Sequence, residues 1–145
     1  MFRTSFSGFF LVFFLFLISC NKTGSKEIYL VVEMEAQQVD FLTDEKTLLV
    51  DSRSVEAFNS SHYPTSVNIT SNMIKNSPTE VMKVLNSRKY NRIVVYCYGN
   101  SCDTSSLVAR HLVYTGKDVC VYKAGWENIK YLCPKSQESS HGNNF

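Results

Sequence analysis

Residues 93–97 (IVVYC) constrain the fold more than any other segment of the chain. They carry no charge and combine β-branched and aromatic side chains with a thiol, so both faces of a strand made from them are suited to burial. Strands buried on both faces are typical of parallel sheets, because crossover helices cover such a sheet on either side. The run therefore predicts an α/β domain in which residues 93–97 form a central strand.

Other segments have the composition of strands, and helical patterns separate them. The further strand candidates are residues 28–32 (IYLVV), 47–50 (TLLV), 67–69 (VNI) and 119–122 (VCVY). Strands that alternate with helices predict a single domain with a largely parallel sheet. A length of 145 residues is enough for one such domain and leaves little room for a second.

The helix candidates are recognised from spacing and capping residues. Ser54 is placed to cap a short helix over residues 55–58, and residues 77–80 (SPTE) have the pattern of a capping box with Pro at the first helical position. Helical spacing also occurs in residues 36–42, 108–115 and 128–132. Gly116 is placed to end the helix over 108–115.

The first 20 residues have the pattern of an export signal. Arg3 precedes a continuous apolar run over residues 9–18, which as a helix would reach about half of a roughly 30 Å hydrocarbon core. The segment closes with Leu17-Ile18-Ser19-Cys20, which resembles the bacterial lipoprotein signal, where the Cys is diacylated and becomes the mature N-terminus. An ordinary secretory signal with an incidental Cys is the alternative.

The lipoprotein pattern sets the expected organisation and location. We expect residues 1–19 to be a signal peptide, residues 20–27 to be the lipidated Cys20 (carrying palmitate or a similar acyl chain) with a tether, and residues 135–145 to be a disordered tail. The domain would then be anchored to a bacterial membrane on its periplasmic or cell-surface side. Asn21 favours the outer membrane if the host has one.

Charge and residue spacing exclude several classes of function. Lys and Arg number 15 against 13 Asp and Glu, with no basic stripe interleaved with aromatic residues, so nucleic-acid binding is not expected. The Cys and His spacings contain neither CxxC nor HExxH, so no metal site is expected. We also expect no cofactor.

Cys97 is the strongest candidate for a reactive residue because it ends the central strand. Ligands of open parallel sheets bind beyond the carboxyl ends of the strands. Backbone amides in a small polar loop, together with a helix N-terminus, stabilise an anion and lower the pKa of a thiol. The loop after Cys97 contains Tyr98, Gly99, Asn100, Ser101 and Cys102. This pattern predicts a nucleophilic thiolate at Cys97, and the alternative is a buried structural Cys.

Several segments, in order, resemble the rhodanese-like domains. Successive conserved segments of that family are similar to residues 48–53 (LLVDSR), 56–69, 93–97 and 116–126. The resemblance covers about residues 28–133, and we expect the domain to span residues 28–134. It implies an α/β fold with a sheet of about five mostly parallel strands flanked by helices. It also implies that Asp51 and Arg53 form a buried pair that supports the strand end. His62 matches a His of the family, but the residues around it depart from the family pattern, so we expect a structural His rather than a catalytic one.

The resemblance implies a sulfurtransferase. Cys97 would take sulfane sulfur from a small donor, thiosulfate or a persulfide, and pass it to a thiol or cyanide, with residues 98–102 cradling the transferred sulfur. No protein acceptor can be named from the sequence. Where many members have a loop Arg that binds thiosulfate, this chain has Cys102 and Asp103, and an Asp there opposes an anionic donor.

The presence of Cys102 allows two further interpretations of the site. It is placed to attack a persulfide on Cys97 as a resolving thiol, which would leave a disulfide. Alternatively, the domain is a non-catalytic rhodanese-like module that binds a partner protein or senses thiol redox state through Cys97 and Cys102. Cys120 and Cys133 are either a second bridge or two buried thiols.

Overall fold

A computed structural model describes residues 31–133. Its centre is a five-stranded sheet in which every strand pair is parallel, in the order β1-β5-β4-β2-β3. The strands are β1 (Val32–Met34), β2 (Thr47–Asp51), β3 (Val67–Asn68), β4 (Arg92–Tyr96) and β5 (Asp118–Tyr122). The predicted α/β fold with about five strands is confirmed, and the sheet is parallel throughout rather than mostly parallel.

Helices fill the connections between the strands. The α-helices are α1 (Val55–Ser60), α2 (Ser71–Asn76), α3 (Pro78–Leu85), α4 (Thr104–Leu112) and α5 (Gly125–Ile129). Short 3-10 turns occur at Asp40–Leu42, Val113–Thr115 and Lys130–Leu132. No helix within residues 31–133 is long and apolar enough to cross a lipid bilayer.

Strand β4 is central, as its sequence predicts. It pairs with β2 on one side and β5 on the other, and side chains on its two faces enter different hydrophobic clusters. Ile93 and Val95 join the cluster that contains α3 and α4, whereas Val94 and Tyr96 join the cluster that contains Phe41. Alternation of side chains across a strand therefore gives β4 a part in both cores.

The ends of the domain differ from the sequence prediction. The sequence predicts a strand over residues 28–32, whereas β1 runs from Val32 to Met34. These three residues pair with residues 120–122 of β5. The segment 36–42 was predicted as a helix, but it contains only the turn Asp40–Leu42, since Gln38 bonds back to Glu35 and closes a turn first. α5 begins at Gly125 and the following 3-10 turn covers most of the predicted helix 128–132.

All three predicted helix signals mark the end of a helix, although one of them lacks its capping hydrogen bond. The Ser54 side chain accepts a hydrogen bond from the amide of Ala57, and Gly116 takes the left-handed conformation (φ 69°) at the end of the turn that follows α4. The helix start predicted at residues 77–80 is confirmed, since α3 begins at Pro78 with Ser77 as its N-cap residue, but the Ser77 side chain makes no cap bond. Ser77 also ends α2, a helix the sequence did not predict, which holds its backbone in another conformation.

Several predicted segments lie outside the described residues. They are the signal peptide over 1–19, the lipidated Cys20 with its tether over 20–27, and the tail over 135–145. These assignments stay predictions.

Candidate active site

Cys97 lies directly after β4, at the carboxyl edge of the sheet. Cys97 is 2% exposed, so the surrounding chain covers its side chain. The loop of residues 98–103 follows, and α4 begins at Thr104. The structure therefore places a buried Cys between the end of a central strand and a helix N-terminus, which is the arrangement that the sequence predicts.

Cys97 and Cys102 form a disulfide, with their Cα atoms 6.2 Å apart. The amide of Cys102 also donates to the Gly99 carbonyl at 3.0 Å, so the loop turns back on itself. The pairing that the sequence left open is present in this structure. In this state neither sulfur is a thiolate, and sulfur chemistry at Cys97 requires the bond to be opened first.

The start of α5 packs against the backbone of this loop. The amides of Trp126 and Glu127 donate to the carbonyls of Cys97 (2.7 Å) and Tyr98 (2.9 Å). Gly125 has φ +61°, and a Cβ built on it would lie 2.6 Å from the Cys97 carbonyl oxygen. A side chain at position 125 would therefore collide with the loop backbone.

We expect Gly125→Ala to lower the free energy of unfolding by about 2 kcal/mol or more, because it combines a left-handed φ with a backbone collision. Gly116→Ala is the matched control. Gly116 also has a left-handed φ of +69°, but a Cβ built on it would have no other atom within 4 Å. It should cost about 1 kcal/mol. Urea unfolding of both variants measures the difference, and equal losses would show that α5 does not press on the loop.

Asp51 and Arg53 form a buried ion pair next to the loop. Arg53 Nη2 lies 2.6 Å from Asp51 Oδ2, Arg53 Nε donates to the same carboxylate, and the two side chains are 2% and 0% exposed. Arg53 Nη2 also donates to the Ser61 carbonyl at 2.7 Å, tying the end of α1 to β2. Burial alone would lower the pKa of Arg53, but the hydrogen bonds and charge of Asp51 outweigh it and raise that pKa.

Aromatic rings surround the Arg53 guanidinium. Its Cζ lies 4.6 Å from the ring centroid of Trp126, 5.5 Å from that of Tyr98 and 5.9 Å from that of Tyr96. Trp126 belongs to α5, Tyr98 to the loop and Tyr96 to β4. The cation thus joins three elements that meet at Cys97, and the geometry fits the structural part predicted for this pair.

Two polar residues near the pair were missed by sequence reasoning. Asn68 donates from Nδ2 to the carbonyls of Asp51 (2.9 Å) and Arg53 (3.0 Å), and Ser52 donates from Oγ to the Tyr96 carbonyl (2.7 Å). These bonds fix the end of β2 against β3 and β4. Their only sequence signal was polarity in or beside a strand candidate, since Asn68 lies within residues 67–69 and Ser52 lies two residues after residues 47–50.

The charged side chains beside the loop are mainly acidic. The Asp103 side chain is 88% exposed, and its carboxylate lies 3.7 Å from Lys123 Nζ. Glu127 Oε2 lies 2.7 Å from the point that a Cβ on Gly99 would occupy, so this second carboxylate covers the loop backbone. Asn100 and Ser101, the remaining predicted loop residues, are exposed.

Other candidate residues have structural positions. His62 Nδ1 contacts the Phe58 carbonyl at 2.8 Å, and the two rings stack with centroids 3.9 Å apart, which fits a structural His. Cys120 is not disulfide-bonded, and burial raises the pKa of its thiol. Cys133 packs against the same hydrophobic cluster as Cys120. Among residues 31–133, no group of His, Cys, Asp and Glu side chains is arranged to hold a metal ion.

The fold and site together define a parallel α/β domain with a Cys-containing loop at the carboxyl edge of its central strand. A family model described as the rhodanese-like domain matches residues 35–131, well over half of the chain. The chain therefore belongs to the rhodanese-like family. No protein with a curated function matches it.

Solved structures share this fold. A Bacillus halodurans protein aligns with a TM-score of 0.50 and 27% identity over 61% of this chain and 61% of its own length. A rhodanese-like domain protein from Staphylococcus aureus gives 0.51 and 17%, covering 68% and 90%. A thiosulfate sulfurtransferase from Pseudomonas aeruginosa gives 0.54 and 17%, covering 72% and 19%. The last two show similarity of fold alone.

Proposed function

We propose that this protein is a sulfurtransferase that carries sulfane sulfur as a persulfide on Cys97. The observation that carries the proposal is the position of Cys97, buried at the carboxyl end of β4 and followed by a loop that leads into α4. Membership of the rhodanese-like family supports it. The fold is shared with a protein named thiosulfate sulfurtransferase, which adds consistency at the level of fold.

The reaction begins once the disulfide has been reduced. The Cys97 thiolate attacks the outer sulfur of a donor, the donor's sulfur–sulfur bond breaks, and the remainder of the donor leaves with the electron pair. The sulfur is then held on Cys97 as a persulfide, close to the loop amides and the N-terminus of α4. A thiol or cyanide attacks this outer sulfur and releases the Cys97 thiolate.

Cys102 supplies a second way to discharge the persulfide. Its thiolate attacks the inner sulfur, which belongs to Cys97, so that the Cys97–Cys102 disulfide forms and hydrosulfide leaves. The Cα separation of 6.2 Å permits this bond without movement of the backbone. By this route the disulfide is the product of one turnover, and an external reductant is needed before the next.

The acidic surroundings of the loop favour a donor with little negative charge. Asp103 and Glu127 both place carboxylates beside it, and Lys123 offsets only part of that charge. Exposed charges of this kind are each worth about 1 kcal/mol or less. We therefore propose an organic persulfide as a better donor than thiosulfate.

The proposed lipid anchor on Cys20 agrees with this chemistry. It would hold the domain outside the cytoplasm, on the periplasmic or cell-surface side of a bacterial membrane, where disulfides persist. The presence of a disulfide in the reactive loop supports that location. Metabolic labelling with a fatty-acid analogue tests it, since Cys20→Ala should abolish labelling.

A non-catalytic module that senses thiol redox state is the second candidate. The observation that favours it is the Cys97–Cys102 disulfide, because Cys97 Sγ cannot accept a transferred sulfur while it is bonded to Cys102. The residues of the loop also include no Lys or Arg to bind an anionic donor.

A turnover assay separates the two functions. The reduced full chain is incubated with thiosulfate or an organic persulfide and with cyanide or a thiol as acceptor. Excess thiol is present in every reaction to reopen any Cys97–Cys102 disulfide that forms. The sulfurtransferase proposal expects many equivalents of product per protein, with the persulfide faster than thiosulfate. Product limited to one equivalent or less with every donor would favour the redox module and reject catalysis.

A further inference from the structure

The two cysteines of the disulfide differ in their exposure to solvent. Cys97 is 2% exposed, whereas Cys102 is partly exposed and lies between two exposed residues, Ser101 and Asp103. Thiol–disulfide exchange depends on which sulfur the incoming thiolate can approach. The difference in exposure therefore gives the bond an accessible side and a protected side.

Elements packed around Cys97 explain its protection. Its strand lies between β2 and β5, and its carbonyl accepts a hydrogen bond from the first turn of α5. Gly125 lies so close to this carbonyl that even a methyl group would not fit. Cys102, in contrast, follows a surface turn made of Asn100 and Ser101, which are both exposed. In the oxidised state an external thiol therefore reaches the partly exposed Cys102 more readily than the buried Cys97.

We propose that an external thiol opens the disulfide by attacking Sγ of Cys102, so that Cys97 is always the leaving group. This inference rests on the proposed function, for which the reduced state is the active one. In the first step the thiolate forms a mixed disulfide with Cys102, the sulfur–sulfur bond to Cys97 breaks, and Cys97 leaves with the electron pair as a thiolate. A second thiol then attacks the sulfur of the bound thiol, and Cys102 leaves and is protonated.

The order of attack has a consequence for sulfur transfer. After the first step Cys97 is already a thiolate under the loop, while Cys102 is blocked by the external thiol. A persulfide formed on Cys97 in this state cannot be resolved by Cys102, so its sulfur remains available to an acceptor. The state of Cys102 thereby determines whether sulfur is transferred or released as hydrosulfide.

Positional mapping of the mixed disulfide tests the proposal. The oxidised full chain in detergent is first treated with N-ethylmaleimide, which blocks thiols outside the pair. It is then exposed briefly to 2-mercaptoethanol, or in parallel to glutathione, and quenched with iodoacetamide. Tandem mass spectrometry of the peptide that spans both residues locates each group. We expect the added thiol on Cys102 and the alkyl group on Cys97, in at least about tenfold excess over the reverse.

Other results would overturn this inference. They are the added thiol on Cys97, an even distribution between the two residues, or failure of the oxidised chain to contain the disulfide. The larger glutathione should show at least the same preference as 2-mercaptoethanol, and a weaker preference would also contradict access as the cause. Because the turnover assay uses fully reduced protein, its result does not depend on which sulfur the reductant attacks. Failure of one proposal is thus distinguishable from failure of the other.

Discussion

Cys97→Ser is expected to reduce sulfur transfer at least about 1,000-fold, which corresponds to about 4 kcal/mol of activation free energy. A hydroxyl is not ionised near neutral pH and cannot hold sulfur as a persulfide, so the covalent intermediate is lost. The variant should fold normally, because Ser is close to Cys in size and the disulfide is absent from the reduced protein in any case. The assay is steady-state turnover with an organic persulfide and cyanide, in the presence of excess thiol that keeps the disulfide reduced.

Cys120→Ser is the matched control for this substitution. Cys120 is a thiol in β5, away from the loop, and burial raises its pKa, so that it is poorly reactive. Its loss should leave turnover within about twofold of the parent, since less than about 0.5 kcal/mol of activation free energy is involved. Turnover that survives Cys97→Ser, or disappears in Cys120→Ser, would place the nucleophile elsewhere.

Arg53→Met is expected to lower the free energy of unfolding by about 3–5 kcal/mol. The substitution leaves the Asp51 carboxylate, which is 0% exposed, without its counter-charge. It also removes the hydrogen bond to the Ser61 carbonyl and the cation that three aromatic rings surround. Equilibrium unfolding in urea measures the loss.

Two further variants make this prediction specific. Arg92→Met removes an exposed ion pair with Asp40, whose charged atoms lie 3.6 Å apart, and should cost about 1 kcal/mol or less. The double variant Asp51→Asn/Arg53→Met removes both buried charges, so it should recover much of the stability that Arg53→Met loses. If Arg53→Met is no worse than Arg92→Met, or the double variant is less stable still, the buried charge is not the cause.

The sequence was sufficient to predict the sheet and the position of Cys97. Residues 93–97 are apolar on both faces, and only an interior parallel strand buries both, so β4 and the loop after it follow from local composition. The position of Asp51 follows in the same way, because it comes directly after the apolar residues 47–50 and so lies at the carboxyl end of β2. Resemblance to a known family then paired it with Arg53, which the geometry fits.

Contacts between distant segments could not be predicted from the sequence. The approach of Gly125 to the loop and the ring of Trp126 over Arg53 depend on how α5 returns across the sheet, which no local pattern specifies. The failed cap at Ser77 has the same origin, because α2 ends at that residue and sets its backbone. Tertiary context therefore decided the details that local signals left open.

The most direct test of the persulfide on Cys97 is the intact mass of the reduced full chain before and after exposure to an organic persulfide, with peptide mapping of any added atom. The account predicts a gain of one sulfur on Cys97, or the loss of two hydrogens where Cys102 has discharged the persulfide and re-formed the disulfide, and no change when the disulfide is left intact. A reduced protein whose mass does not change, or that gains sulfur on another Cys, would contradict the assignment.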